Sequence, residues 1–190
     1  MDPHHPEITD EALAVSAQGN SDEAFGVLIE RYQGRLLRYG KRFLSDNDHI
    51  EDVVQGVFIQ TYQNIRSFDA TRRFSPWIYR IAHNAFVNEL RRQHREPVSF
   101  VDFDVLAAHP SHEHDLAEET DKKAMRALVE AGLEMLPAIY KEIIILYYIE
   151  ELSYQEIADI LRVPLGTVSV RLRRGREALK KAMEKKPILP

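Results

Sequence analysis

Apolar side chains return at helical spacing along most of this chain. In DEAFGVLIERYQGRLLRYGKRFL, Phe25, Leu28, Ile29, Tyr32, Leu36, Leu37 and Phe43 fall at the three- and four-residue intervals of a helix with one apolar face. SDNDHIEDVVQGVFIQTYQNI supplies Ser and Asp caps and then a second stripe, Ile50, Val53, Val54, Val57, Phe58 and Tyr62. RSFDATRRFSP breaks the period and reads as a loop. Pro76 is placed to start a third long helix, PWIYRIAHNAFVNELRRQHR, at its first position, and Pro97 ends it. Residues 97–120 show no sustained period and read as a linker, with Phe100, Val101, Phe103 and Val105 free to dock elsewhere. Beyond them the pattern is helical again, in KKAMRALVEAGLEML, PAIYKEIIILYYIEE, SYQEIADIL and PLGTVSVRLRRGREALKKAMEK. No run alternates long enough for a sheet, and there is no internal repeat. The expected fold is all-α: a tail over 1–21, a helical domain over 22–96, an acidic linker over 97–120 and a second helical domain over 121–186.

Composition narrows the class. The apolar fraction of 44% suits a packed soluble protein, and no apolar run approaches the roughly 20 residues of a membrane span. MDPHHPEITDEA lacks the features of a secretory signal. With no cysteine, disulfides and thiolate metal sites are excluded, and a cytoplasmic life is expected. The net charge of −5 argues against a polyanion partner until the charges are placed. Residues 1–30 carry acids and no Lys or Arg, whereas Arg66 to Arg95 hold seven arginines against Asp69 and Glu89. Residues 96–121 hold eight acids and no Lys or Arg, and from Arg162 to Lys186 nine basic residues face two acids. Local fields, not net charge, decide where a polyanion lands, and this pattern is two basic blocks around an acidic spacer.

The second block contains the most specific local pattern. In LSYQEIADILRVPLGTVSVRLRRGREAL, Ser153 and Glu156 form a capping box, Ile157, Ala158 and Leu161 face inward, and RVP makes a turn with Pro164 placed to open the next helix. Val168 and Leu172 then face the core. Thr167, Ser169, Val170, Arg171, Arg173, Arg174 and Arg176 are left on the outer surface. This is the arrangement of a helix-turn-helix whose second helix enters the major groove of DNA; a solvated basic face on a packing helix is the plainer alternative. In the first block, a helical wheel puts Ile78, Ile81, Ala82 and Ala85 on one half of the third helix. Tyr79, Arg80, His83, Asn84 and Arg91 fall on the other, an aromatic, basic and amide face suited to single-stranded DNA.

These segments together resemble the extracytoplasmic-function (ECF) sigma factors, the small bacterial initiation factors of the sigma-70 family. LPAIYKEIIILYYIEELSYQEIADILRVPLGTVSVRLRRGREAL is similar to the family's promoter-reading C-terminal domain. EDVVQGVFIQTYQNI resembles its polymerase-gripping helix, and SFDATRRFSPWIYRIAHNAFVNELRR its strand-opening segment. The resemblance implies a non-enzyme with no cofactor and no metal that binds core RNA polymerase, reads −35 duplex and captures melted −10 DNA. It implies an anti-sigma factor as a further partner and no membrane insertion. Asp52 and Gln55 would contact core polymerase, although an acid near a helix start, as Asp52 is, is also favoured by the helix dipole. Phe68, Arg73, Trp77, Arg80, His83 and Asn84 would contact −10 DNA, with the 67–74 loop supplying a pocket for an unstacked base. Trp77 stays open between core and ligand. Thr167, Ser169, Val170, Arg171, Arg173, Arg174 and Arg176 would contact −35 DNA.

The chain departs from the family pattern at Gly56, where glutamate is usual, and at Arg162, where glycine is usual. Ser169 and Val170 also depart, and Val170 can meet only a thymine methyl. Two other classes compete. An autonomous helix-turn-helix regulator explains the C-terminal domain but not the Arg66–Arg95 block. A metal enzyme built on HPSHEH, with His109, His112, Glu113 and His114, lacks the helical metal-binding spacing and sits in the linker.

Overall fold

The computed structural model describes residues 8–94, 129 and 131–185. The linker, its docking candidates Phe100, Val101, Phe103 and Val105, and the HPSHEH run lie outside the described residues. Among the described residues, every regular element is helical. In chain order these are α1 (Asp10–Gln18), α2 (Asp22–Gly40), α3 (Asn47–Asn64), a short 3-10 turn (Ile65–Ser67), α4 (Phe74–His94), α5 (Ala138–Ile144) running on into a π turn (Ile145–Ile149), α6 (Tyr154–Leu161) and α7 (Leu165–Lys185).

Local sequence explains the starts. Thr9, Ser21 and Asp46 each accept a backbone N–H from the first turn of α1, α2 and α3, at 3.2, 3.2 and 3.0 Å. The stripes of α2 and α3 turn Phe25, Leu28, Tyr32 and Leu36 toward Ile50, Val54, Val57 and Phe58, and α4 closes the core with Ile78, Ala82, Phe86 and Leu90. Gly40 ends α2 where the backbone passes close to the Phe86 ring of α4. A Cβ there would run into the Phe86 ring and lie 2.7 Å from the Ile50 Cγ2.

The N-terminus differs from the pattern reading. Residues 10–18, read as tail, form α1, which packs on α2 through Leu13, Ala14 and Ala17. Two of those three are alanines, whose small apolar surface gives a faint stripe. The third long helix also begins two residues before Pro76. Proline is tolerated there because first-turn N–H groups lack intrahelical partners, and Glu11 Oε1 accepts the Phe74 N–H at 2.9 Å.

The α4 wheel needs a larger correction, because Tyr79 and His83, assigned to an outward face, are buried. The helix packs on the α2–α3 layer with one side and on α6 with another. At this joint the Glu142 Oε1 of α5 collects three partners from the first unit. The Arg42 Nη2 lies at 3.0 Å, the Tyr39 hydroxyl donates at 2.8 Å, and the His83 Nδ1 lies at 3.1 Å. The Arg42 guanidinium also stacks 4.5 Å from the Tyr39 ring centre and 4.8 Å from that of Phe43. A second pair joins Arg35 to the buried Glu150, with Nε donating at 2.9 Å. Burial alone would raise the pKa of Glu142, but Arg42 and then His83 outweigh it and hold the carboxyl well below its usual range.

Two stability outcomes follow from this packing. Gly40→Ala should destabilise the fold by about 1–3 kcal/mol through overpacking against Phe86 and Ile50, visible as a lowered melting temperature with unchanged helical circular dichroism. Glu142→Gln should cost roughly 3–5 kcal/mol, because Arg42 is left buried beside a neutral group. The folded pKa of Glu142 lies below its ordinary value of 4.5, so its contribution is full above that pH and is lost as pH falls below it. The gap in unfolding free energy between wild type and Glu142→Gln should therefore be constant at neutral pH and shrink in acid. A gap that widens on acidification would contradict the assignment.

Candidate nucleic-acid interface

The helix-turn-helix is built as its sequence suggests. Ser153 Oγ accepts the Glu156 N–H at 3.3 Å, and the Glu156 carboxylate accepts the Ser153 N–H at 2.6 Å, completing the capping box of α6. Ile157, Ala158 and Leu161 are buried against Val168 and Leu172 of α7. Arg162 occupies the turn with φ 54° and ψ 45°, the left-handed region where a side chain is disfavoured and glycine is at home. The Pro164 carbonyl accepts the N–H groups of Thr167 and Val168 at 2.8 and 3.3 Å, so the proline sits just before α7 and not inside it.

On the far side of α7, Ser169, Val170, Arg173, Arg174 and Arg176 are exposed, and Thr167 and Arg171 are half-buried. All seven sequence-selected residues thus share one helix. Val170 offers an apolar contact at 42% exposure. Arg173 Nη1 donates to Glu177 at 3.2 Å across one exposed turn, a contact too solvated to hold the arginine against a phosphate or base.

In the first unit, Asp52 and Gln55 lie exposed on the outer face of α3. Nothing lies within 4 Å of where a Gly56 Cβ would sit, so that glycine opens a shallow gap in the face instead of admitting a neighbour. Ile59 continues the face at 58% exposure, and Tyr62, read as core, is exposed at 44%, with its hydroxyl donating to Asp22 at 2.8 Å. Sequence reasoning passed over Ile59, whose exposed bulk is its only mark.

The segment between α3 and α4 is folded on itself. Asp69 Oδ1 accepts from the Thr71 N–H at 3.0 Å and the Thr71 hydroxyl at 2.7 Å, and these hydrogen bonds hold its carboxyl below the usual range. Phe68, Phe74 and Trp77 form an aromatic cluster with ring centres 5.3–5.7 Å apart. Trp77 is half-buried in it, Asn84 is half-buried, and Arg73 and Arg80 are exposed. Two expected DNA contacts are corrected. Phe68 is buried beneath Trp77, and His83 is buried against Glu142, so neither side chain is presented to a nucleic acid in this closed arrangement. Arg73 is engaged as well, with Nη1 donating to the Glu151 carbonyl at 3.0 Å and lying 3.6 Å from the Glu156 carboxylate. Among the described residues no group of side chains could hold a metal ion, and no helix is long and apolar enough to cross a membrane.

Comparison with known proteins bears on both units. Residues 28–96 match the family model "Sigma-70 region 2", and residues 126–179 match "Sigma-70, region 4". The chain is 35% identical over 174 residues to the ECF RNA polymerase sigma factor SigW of Bacillus subtilis, covering 87% of this chain and 91% of that protein. It is also 35% identical over 187 residues to the ECF RNA polymerase sigma-E factor of Haemophilus influenzae, covering 94% and 97%. Among solved structures, the sigma factor RpoE in complex with the anti-sigma factor NepR from Bartonella quintana matches with a TM-score of 0.59 and 25% identity, over 84% of this chain and 96% of that one. CnrH, solved with the cytosolic domain of CnrY, shares the fold with a TM-score of 0.63 at 24% identity, over 93% and 98%. Both sigma regions occur in order, and the identity to these relatives runs nearly end to end, so the chain belongs to the ECF RNA polymerase sigma factors.

Proposed function

We propose that this ECF sigma factor binds core RNA polymerase through α3, reads −35 duplex with α7 and captures melted −10 DNA with the 67–74 loop and α4. The observation that carries the reading is the outer face of α7, where four arginines, a threonine, a serine and one apolar contact stand on a helix fixed by a capped partner. The polymerase supplies the chemistry. Asp52 and Gln55 hold core polymerase, and Arg73, Trp77, Arg80 and Asn84 hold the −10 strand. Phe68 and His83 act from below, Phe68 as the floor under Trp77 and His83 as part of the joint. Residues up to 96 form the first domain, with α1 included, followed by an acidic linker over 97–120 and the −35 domain over 121–186. A rival reading as an autonomous regulator leaves the α3 face and the aromatic loop without purpose.

Using both domains on one promoter requires the joint at Glu142 to open. The element names place them about 25 base pairs apart, about 85 Å at 3.4 Å per step, whereas the 21-residue α4 is about 32 Å long. Opening frees Arg73 from Glu151 and Glu156 for the −10 strand. An anti-sigma factor is the expected antagonist, as the RpoE–NepR complex illustrates for a protein of similar fold.

Two experiments test these roles. Alanine at both Asp52 and Gln55 should weaken association with core polymerase by roughly tenfold or more with the fold intact. Asn84→Ala should still join polymerase and bind closed promoter, yet fail to hold the strand open or lose preference at one −10 base, read by permanganate reactivity of unpaired thymines. Normal behaviour of both variants would defeat the assignment of the first domain.

On α7, Arg173→Ala or Arg174→Ala should cost about 1–3 kcal/mol and relax preference at one −35 position, if that arginine meets a base edge. Arg171→Ala should weaken all promoters alike and reduce the salt slope by about one. Equal, sequence-blind losses at all three would leave only electrostatic docking.

A further inference from the structure

Helix α1 is fastened to the rest of the first domain by side chains and not by packing alone. At its start, Asp10 accepts from Arg31 Nη1 at 2.7 Å and from the Tyr32 hydroxyl at 2.6 Å, which ties it to α2. Along its length two side chains reach the 65–74 segment. Gln18 Nε2 donates to the carbonyls of Ile65 and Phe68, at 2.9 and 2.7 Å. Glu11 Oε1 accepts the Phe74 N–H at 2.9 Å. Seven residues separate Glu11 from Gln18, close to two turns, so both project from nearly the same side of α1, about 10 Å apart. They meet the two ends of the connection from α3 to α4. Just after the 3-10 turn, Phe68 has an extended backbone and a buried ring under Trp77, and Phe74 opens the helix that carries Arg80 and Asn84.

We propose that Glu11 and Gln18 are positioning residues for −10 capture, with α1 acting as a splint that sets the loop before DNA arrives. The inference rests on the reading of the 67–74 loop and α4 as the −10 site. A connection of this length with exposed Asp69, Ala70, Thr71, Arg72 and Arg73 has many accessible shapes. Clamping both its ends removes most of them, and a preordered site does not spend binding energy on ordering itself. The two contacts are chemically distinct. Gln18 needs an N–H donor with two directions, and Glu11 needs only an oxygen acceptor at a helix start.

The test uses the full-length protein assembled with core polymerase, on a promoter selected with wild type from a randomised library. Glu11→Ala and Gln18→Ala should each shorten the open-complex lifetime by about two- to tenfold, the range one lost hydrogen bond supplies. They should also blur the −10 base preference, while core affinity and −35 duplex binding stay within twofold. Glu11→Gln, which keeps the acceptor, should restore the lifetime. Gln18→Glu, nearly the same shape but without donors, should behave as Gln18→Ala. A purely structural role for α1 would lower the melting temperature without changing the −10 preference, and that outcome overturns the proposal. Wild-type opening by the Glu11 and Gln18 variants, beside defective Arg80→Ala and Asn84→Ala, overturns the splint alone. Wild-type opening by all four removes the −10 reading and the splint with it.

Discussion

One carboxylate oxygen, Glu142 Oε1, gathers three of the polar contacts that join the two halves of the described structure. Three side chains from the first domain converge on it, from the end of α2, the turn after it and the middle of α4. The arrangement is expensive to assemble, since an arginine and a glutamate must both leave water before their attraction repays the loss. It is also incomplete, because Arg42 Nε, Nη1 and Nη2 lack a hydrogen bond of good geometry among the described residues, Nη2 meeting Glu142 as an ion pair. A joint of this kind differs from an apolar seam of the same size. Its polar groups can be compensated by water once it opens, although the buried apolar residues of both halves also belong to one cluster.

The joint explains why the two faces of α4 are unequal. Tyr79 and His83 are drawn toward Glu150 and Glu142, and the buried Tyr79 hydroxyl is pushed far up its scale by burial and by the Glu150 charge. Arg80, one residue from Tyr79, stays in solvent. The helix therefore serves the core, the joint and the candidate DNA face from three stripes. With 3.6 residues per turn there is room for all three only because each is narrow.

How much of this was legible in the sequence depended on whether the partner was near in the chain. Ser153, Glu156, Ala158, Arg162 and Val168 lie within a few residues of one another, and capping, turn and inward stripe could be read from spacing. The left-handed turn at Arg162 was legible only through the family resemblance, in which glycine is usual at that position. His83 was misplaced because a wheel divides a helix into two halves, while α4 is covered on a second side by elements far along the chain. Nothing near Glu142 announces that its partners are Tyr39, Arg42 and His83. α1 was missed for a different reason: alanine contributes too little apolar contrast to separate a packed helix from a polar tail.

Charge placement refines the reading that began with two basic blocks. Several arginines are occupied within the fold: Arg31 by Asp10, Arg35 by Glu150, Arg42 by Glu142 and Arg73 by Glu151 and Glu156. Arg92 is bound by Glu89, whose carboxyl is held below its usual range mainly by that arginine. The exposed guanidiniums of Arg80 and Arg91 on α4, and of Arg173, Arg174 and Arg176 on α7, stand at the surface, where they contribute to the field a DNA strand meets. They sit on two helices that separate in the proposed open state. The same proposed opening would release Arg73, just before α4, from Glu151 and Glu156. In the proposed open state the candidate −10 face thus gains positive charge, while the candidate −35 face, whose arginines take no part in the joint, is unchanged. A protein with a net charge of −5 can bind a polyanion on these terms, because its acids lie mostly elsewhere along the chain.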